Sequence, residues 1–466
     1  VTRKHGARRA IMVGTALALL AGCGSTTKSE STTTTTTTGS TTTTGAPGTT
    51  AAGVTSTTAG PATTVPLTAS FRGVTADSIK IGFPYIDLEA LAKSGLIKIS
   101  HGPYADIIKA LVDDVNASGG VNGRKLELVS MKYSAIGSTE QLADCTKLTE
   151  DEKVFAVLNG FTSGQNDLCV TQQHSTIMID GQAISDATRA KATAPWVTWI
   201  ASTDRLVSAL VKVLDTNGTL KGHTIGIYAV ADQSAEVAIA KKALTDAGYT
   251  VADTEVNDTT GTDVQASNAK DKVIAQHLSD SKVDVLIDIA QSIPGANFDA
   301  VGYHPSIFNL YAGNIAAAAF TNPLGKFPTV AGLQAGSADD AYASDAFKQC
   351  MAIYKKASGV DVVTPEQEDL SGKSSGFVGL MNACTALDIF VAAAKAAGPN
   401  LTNDTFKSGL ESLGKISLPN TPAASFGPNK DDGQDSFQLF SFDPTWKQGS
   451  GKPQYNAVGS PITLGN

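Results

Sequence analysis

The sequence predicts an α/β protein of two lobes, on three observations. Short β-rich runs alternate with helical patterns through the first two thirds of the chain, the mark of parallel βαβ units. The same unit restarts after residue 220. The stretch with apolar periodicity, from about Phe71 to Asn466, is roughly twice the usual domain size of about 100–200 residues.

The amino end is not part of that fold. Arg3, Lys4, Arg8 and Arg9 precede an apolar stretch over 10–21, the charged and apolar regions of a secretory signal, too short to span a bilayer. Residues 20–23 read LAGC and resemble the bacterial lipobox, which implies cleavage before Cys23 and a diacylglycerol on its thiol. A plain secretory signal with an incidental cysteine is the alternative. The Arg8 and Arg9 pair hints at twin-arginine export, but no Phe-Leu-Lys follows, so the route stays open. Removing residues 1–22 takes away four basic and no acidic side chains, leaves 466 − 22 = 444 residues and moves the formal charge from −8 to −12. Nucleic acid is excluded as a partner on that charge. Residues 24–70 are almost entirely Thr, Ser, Gly, Ala and Pro, with Val54, Val65 and Leu67 as the larger aliphatics, Lys28 and Glu30 as the charged residues and no aromatic, so 23–70 is expected as a tether without a core, its hydroxyls open to glycosylation.

Strands are expected at 79–83, 125–130, 154–158, 176–180, 223–228 and 284–289. Between the first two, Ile107, Ile108, Leu111, Val112 and Val115 share one helix face, ended by Gly119 and Gly120. A second helix carries Val237, Ala240 and Leu244 in register and stops at Gly248. PWVTWI at 195–200, followed by Ser202, Thr203 and Asp204, reads as a crossing strand feeding a capped helix. Ala-rich helical patterns over 343–358 and 376–397 predict a return to the first lobe, and 426–443 a turn-rich connection and an alternating strand that crosses back. After the signal, no segment is expected to be apolar for long enough to cross a bilayer.

Four cysteines remain after the anchor: Cys145, Cys169, Cys350 and Cys384. An even count in an exported chain favours disulfides, and of the three pairings the sequence-local one, Cys145 with Cys169 and Cys350 with Cys384, is expected. Neither pair has CxxC spacing, so no metal is expected.

Ligands of open parallel sheets sit beyond the carboxyl ends of the strands. That rule selects Asn159, Gly160, Phe161, Thr162, Ser163 and Gly164 after the third strand, where Thr162 or Ser163 either caps the next helix or receives a carboxylate. It also selects Gln182 and Ala183 after the fourth, Asp232 and Gln233 after the fifth, and Gln291 and Ser292 after the sixth. Asp232 either pairs with an ammonium group or caps a helix starting at Gln233, the cap being the preferred role. Enzyme signatures fail: there is no HExxH or GxSxG, and the GKS at 372–374 has Gln367 where a phosphate loop needs glycine. The histidines (His5, His101, His174, His223, His277, His304) have no ligand spacing and read as surface or loop residues, with a pH-sensing role for His101 at the mouth as the alternative. The chain is read as a non-enzyme without cofactor.

The motifs GVTADSIKIGF (73–83), DDVNASGGVNGRKLEL (113–128), DEKVFAVLNGFTSG (151–164), KGHTIGIYAVADQSAEVAIAKKALTDAGYTV (221–251) and FGPNKDDG (426–433) together resemble the type I periplasmic binding proteins, specifically the lipoprotein receptors of branched-chain amino acid ABC importers. The resemblance implies two Rossmann-like α/β lobes joined by three crossings that close on a small solute. It implies a monomer, held outside the cell membrane by lipid, that delivers an amino-acid-like solute to an ABC permease. A sensor of the same fold, acting on a membrane receptor or a cell-wall enzyme, is the alternative. The segments expected are 1–22 signal, 23–70 tether, 71–203 first lobe, 204–335 second lobe, 336–430 return to the first, and 431–466 end of the second. By resemblance Thr162 and Ser163 hold a ligand carboxylate and the loop of Gln182 and Ala183 contacts the same solute. The chain departs from the family in two places. Ser234 and Ala235 stand where Tyr-Gly is usual, leaving Tyr85 as the aromatic wall, and no acid between 305 and 328 matches the partner of an α-amino group. An insertion at 85–102 with Leu88, Leu91, Leu96 and Ile97 is expected over the mouth.

Overall fold

A computed structural model describes residues 66–93, 101–134, 139–162, 164–259, 263–290, 292–319 and 322–465. Cys23, Ser163, Gln291, Leu96 and Ile97 lie outside the described residues, as does the tether up to residue 65.

Five parallel strands make the first sheet: β1 (Ser78–Ile86), β2 (Lys125–Tyr133), β3 (Ala156–Leu158), β4 (Ile177–Asp180) and β5 (Trp196–Thr198), in the order β2-β1-β3-β4-β5. Both faces are covered, as parallel sheets require. Ile79, Ile81 and Phe83 bury one face against the helix Tyr104–Ala117, while Leu148, Val157 and Met178 belong to the core on the other. The chain then builds β6 (Ile225–Val230), β7 (Val251–Asn257), β8 (Val285–Asp288), β9 (Ser306–Asn309) and β10 (Val330–Gln334), all parallel. A two-stranded hairpin of β11 (Gly414–Leu418) and β12 (Thr421–Phe426) precedes β13 (Ser436–Phe442) and β14 (Tyr455–Thr463), which join the second sheet antiparallel. Its order is β14-β13-β10-β9-β8-β6-β7.

The six expected strands all form, with shifted ends. β7, β9 and β10 escape sequence reading because β9 and β10 have four and five residues and β7 mixes polar and apolar positions. The helix Tyr104–Ala117 buries Ile107, Ile108, Leu111 and Val112 as its periodicity requires, and Gly120 follows with φ 72°. A β-carbon there would stand 2.0 Å from the Arg124 carbonyl oxygen, so only glycine fits. Arg124 itself is buried, its Nε, Nη1 and Nη2 donating to the carbonyls of Thr75, Pro399 and Thr68 at 2.7, 2.9 and 2.9 Å. One side chain of the 113–128 motif thus ties together β1's approach, the segment after the last long helix, and the end of the linker.

The helices Asp345–Ser358 and Phe377–Ala396 return to the first sheet, where Phe347, Tyr354, Leu380 and Phe390 join the core of Ile107 and Phe155. Cys350 is bonded to Cys384 and Cys145 to Cys169, with Cα separations of 6.3 and 6.4 Å, so each bridge lies on one side of the first sheet. One expectation needs correction. Phe377–Ala396 is long and apolar enough to cross a membrane by length and composition. Its apolar residues are instead mostly buried between the sheet and neighbouring helices, which is how an all-round apolar helix is satisfied inside a large core.

Three segments cross between the sheets: 199–202, 335–337 and 427–435. Ser202 caps the helix Thr203–Thr216 by accepting from the Arg205 N–H at 3.3 Å. The first and third crossings run side by side through a Thr198 to Asp432 bridge. The Arg205 guanidinium binds Asp432, Asp435 (3.1 Å) and the Gln434 carbonyl (2.9 Å), and buried Lys430 reaches Asp435 at 3.2 Å. The KDDGQD run at 430–435 is therefore a buried ion network that fixes how the crossings meet.

Candidate functional site

Parallel strands all point their carboxyl ends the same way, so the loops after β1, β3 and β4 gather at one edge of the first sheet, beside the crossings. A cavity of about 400 Å³ opens there. Its walls come from the loops after β3 and β4 and from helical residues of the first lobe. The crossings at 199–200, 335–337 and Gln434, the end of β10 at Gln334, the hairpin tip at Asn420, and Tyr311 after β9 of the second sheet complete it.

The β3 loop turns at Asn159, whose φ of 67° is left-handed and whose amide donates to the Pro84 carbonyl at 3.2 Å. Phe161 follows, its N–H donating to Asp167 at 2.8 Å and its ring 5.6 Å from that of Tyr133. After β4, both oxygens of Asp180 are occupied: Oδ1 accepts from the Gln182 N–H at 2.9 Å and Oδ2 from the Trp196 indole N–H at 2.8 Å. Burial, and for Asp167 also the neighbouring Asp180, pushes both carboxyls up; Asp180 rises to about 6 and Asp167 well above its usual value. Gln182 braces the pair, donating to Asp167 at 3.0 Å and to the Phe161 carbonyl. On the opposite wall the Tyr104 hydroxyl shares a hydrogen bond with His101 Nδ1 at 3.1 Å and another with Asn382. Burial lowers His101 to about 4, so the imidazole is neutral at neutral pH, and raises Tyr104 to about 12.

Of the residues chosen from the sequence, Phe161 and Gln182 line this cavity. Thr162 lies next to Phe161, but its hydroxyl is engaged with Gln141 at 2.9 Å. Tyr85 lies one ring behind the wall, its centroid 5.9 Å from that of Tyr104 and its plane tilted by 37°. Ala183 packs with the second core and its carbonyl accepts from the Thr203 hydroxyl at 3.3 Å. Asp232 and Ser292 are exposed at the strand ends of the second sheet. Gln233 bridges two strands of that sheet, accepting from the Val230 N–H at 3.0 Å and donating to the Ile289 carbonyl at 2.9 Å. The preferred cap role of Asp232 is overturned: the helix is Ser234–Asp246, and its N-cap position is Gln233. Four histidines fit the surface reading, His174, His223, His277 and His304 each facing one acid at 2.6–3.0 Å. His101 does not, since it is part of the cavity wall.

Sequence reading missed Tyr104, Tyr133, Trp199, Tyr311, Gln334, Asn382, Asn420 and Gln434. Tyr311 was within reach of the strand-end rule, two residues past β9, had that four-residue strand been recognised. Tyr104 and Asn382 carry no local signal, because their helices face the cavity only once packed.

A family model described as periplasmic binding protein matches residues 78–442. No curated protein matched the chain. Among solved structures, it is similar to an ABC transporter substrate-binding protein of Desulfitobacterium hafniense in complex with Leu, at 15% identity and TM-score 0.54, covering 82% of this chain and 100% of that one. A solute-binding protein of an ABC transporter from Rhodopseudomonas palustris HaA2, in complex with p-hydroxybenzoic acid, matches at 15% identity and TM-score 0.56, covering 83% and 97%. A fatty acid ABC transporter substrate-binding protein from Thermomonospora curvata matches at 16% identity and TM-score 0.52, covering 84% and 94%. At these identities the likeness is one of fold.

Proposed function

The chain belongs to the periplasmic binding protein family, and from that premise we propose that it is the solute receptor of an ABC importer. It captures a small polar solute in the cavity beside the crossings and delivers it to a membrane permease. Family membership implies an extracytoplasmic location. In this reading Cys23 carries the lipid anchor and residues 23–70 are the tether. The lobes are 71–203 with 336–430, and 204–335 with 431–466.

The observation that carries the reading is the composition of the cavity wall. First-sheet loops supply one side, Tyr311 of the second sheet reaches the other, and Trp199, Gln334 and Gln434 come from or adjoin the crossings themselves. A solute held there touches both sheets and the segments that must bend for the lobes to close. A solute that binds the closed lobes more tightly than the open ones shifts the population towards the closed state, the form a permease distinguishes. Ser292, exposed at a strand end of the second sheet, is a residue closure would bring towards the solute.

The test is a thermal-shift screen of the chain, refolded to strip carried solute, against amino acids, aromatic acids, amides, nucleosides and sugars. A ligand at a hundredfold excess over its dissociation constant stabilises the native state by about 2.7 kcal/mol. A clear hit, followed by uptake that depends on this chain in cells, supports the reading. A flat screen, with no small molecule released on denaturing the protein from its own host, sinks it.

A further inference from the structure

We propose that the solute is uncharged and ring-bearing, held by aromatic walls and amide side chains, with Asn420 accepting one of its hydrogen bonds. This rests on the solute-capture reading above and narrows it to a substrate class.

Charge comes first. Among the described residues that line the cavity there is no lysine, arginine or glutamate, and Asp180 is the one carboxylate. Asp180 is 1% exposed and its oxygens already accept hydrogen bonds from the Gln182 and Trp196 N–H groups, so it presents almost no surface to a ligand ammonium. His101 is neutral, its ring held against Tyr104. Three helices begin at the wall, at Tyr104, Ala338 and Phe377; the short one at Ala338 is closed by its own Ser337–Asp340 capping box, and the strongest source of positive potential is the amino end of the longest, Phe377–Ala396. That end is already taken: Glu368 Oε1 accepts from the Gly376 and Phe377 N–H groups at 3.0 and 3.3 Å and from the Ser375 hydroxyl at 2.7 Å. An anion or a zwitterion brought into this cavity would lose its hydration without gaining a partner of opposite charge, which costs several kcal/mol or more.

The cavity does offer flat apolar surface and neutral hydrogen-bonding groups. Tyr104, Tyr133, Phe161, Trp199, Tyr311 and Phe377 contribute rings to its walls. Tyr311 is 38% exposed there, an accessible ring on the second-sheet side. Rings recognise rings by offset or edge-to-face contact. Between them stand Gln334, Asn382 and Asn420, amides that can both donate and accept. Asn420 gives the sharpest indication. Its Oδ1 is sealed from solvent and has no hydrogen-bond partner among the described residues, at the tip of the β11–β12 hairpin against the cavity. A buried acceptor left unpaired is costly, and a turn of the Asn420 amide towards the cavity would let a ligand N–H or O–H satisfy it.

The experiment is calorimetric titration of the full chain with one ring in three charge states, 4-hydroxybenzamide, 4-hydroxybenzoate and 4-hydroxybenzylamine, together with adenosine and leucine. Small molecules released from protein purified from its own host are identified by mass spectrometry in parallel. At least one neutral ring compound is expected to bind tenfold or more tightly than every charged probe, and Asn420→Ala to weaken it about tenfold. Asn420→Asp should weaken it further as pH rises through the carboxylate range. A charged probe that binds as tightly, a released solute that carries a charge, or an Asn420→Ala protein that folds and binds unchanged overturns the inference but leaves solute capture standing. Failure of every probe together with no released molecule overturns both.

Discussion

Trp199 closes over Gly181 so tightly that a β-carbon on Gly181 would stand 2.4 Å from the indole Cζ2. Both residues line the cavity, one from the β4 loop and one from the first crossing, so their contact sets the distance between the first sheet and the crossing. Gly181→Ala is expected to destabilise the fold by about 1–3 kcal/mol through overpacking and to weaken solute binding at least tenfold. Urea unfolding and calorimetry read the two effects; an alanine variant with native stability and affinity would mean that Trp199 moves freely.

The crossings depend on their ion network. Asp432→Ala removes the Arg205 partner and leaves two cations, Arg205 and Lys430, sharing Asp435 in a buried setting. A buried pair broken by loss of one partner costs about 3–5 kcal/mol, and Arg205, partly exposed, places this case near the lower end. Chemical denaturation of the variant should show that loss, and a change below about 0.5 kcal/mol would reduce the network to surface pairing.

Reduction should be felt in the first lobe. The two bridges close loops with sequence separations of 24 and 34 residues. On the chain-entropy model each contributes about 3–4 kcal/mol. The melting temperature in dithiothreitol is therefore expected to fall by several degrees, and the double variant Cys350→Ala, Cys384→Ala to lose about half of that difference. A melting curve indifferent to reductant would show that the bridges do not form.

Asp288 couples pH to the second lobe. Burial raises its carboxyl to about 8 from 3.8, while Asn309 donates to it at 2.9 Å and itself accepts the Tyr311 N–H at 3.1 Å. An acid with a raised folded-state pKa is neutral in the fold but charged in the unfolded chain between the two values. Its contribution to stability is thus present below about pH 4 and lost as pH rises to about 8. Asp180, raised to about 6, acts the same way over a narrower window. Asp288→Asn should flatten the decline in unfolding free energy between about pH 5 and about pH 8 by an amount of order 1–3 kcal/mol. Parallel curves for the two proteins would assign the pH dependence elsewhere.

Legibility followed the range of the interactions. Ile107, Ile108, Leu111 and Val112 announce their helix because burial of one helical face repeats along the chain. Phe161 and Gln182 were reachable because a strand end is a local event and the topology of parallel sheets sends such ends to one edge. Asp232 misled because a carboxylate before an apolar run resembles a cap, whereas the backbone enters the helix one residue later, leaving Gln233 to brace β6 against β8.

By itself the sequence determined that the chain is α/β in repeated βαβ units and that four cysteines are available to pair, and its ordered motifs pointed to the periplasmic binding protein family. These follow from periodicity, composition and the order of motifs, all properties of neighbours along the chain. Only the tertiary structure decided what the cavity is made of. Tyr104, Trp199, Tyr311, Asn382 and Asn420 are separated by up to 316 residues and meet because helix packing, crossing segments and a hairpin tip converge on one sheet edge. Whether a carboxylate such as Asp180 faces a ligand or is consumed by the protein's own donors is likewise a matter of three-dimensional contact, and here the Gln182 and Trp196 N–H groups consume it.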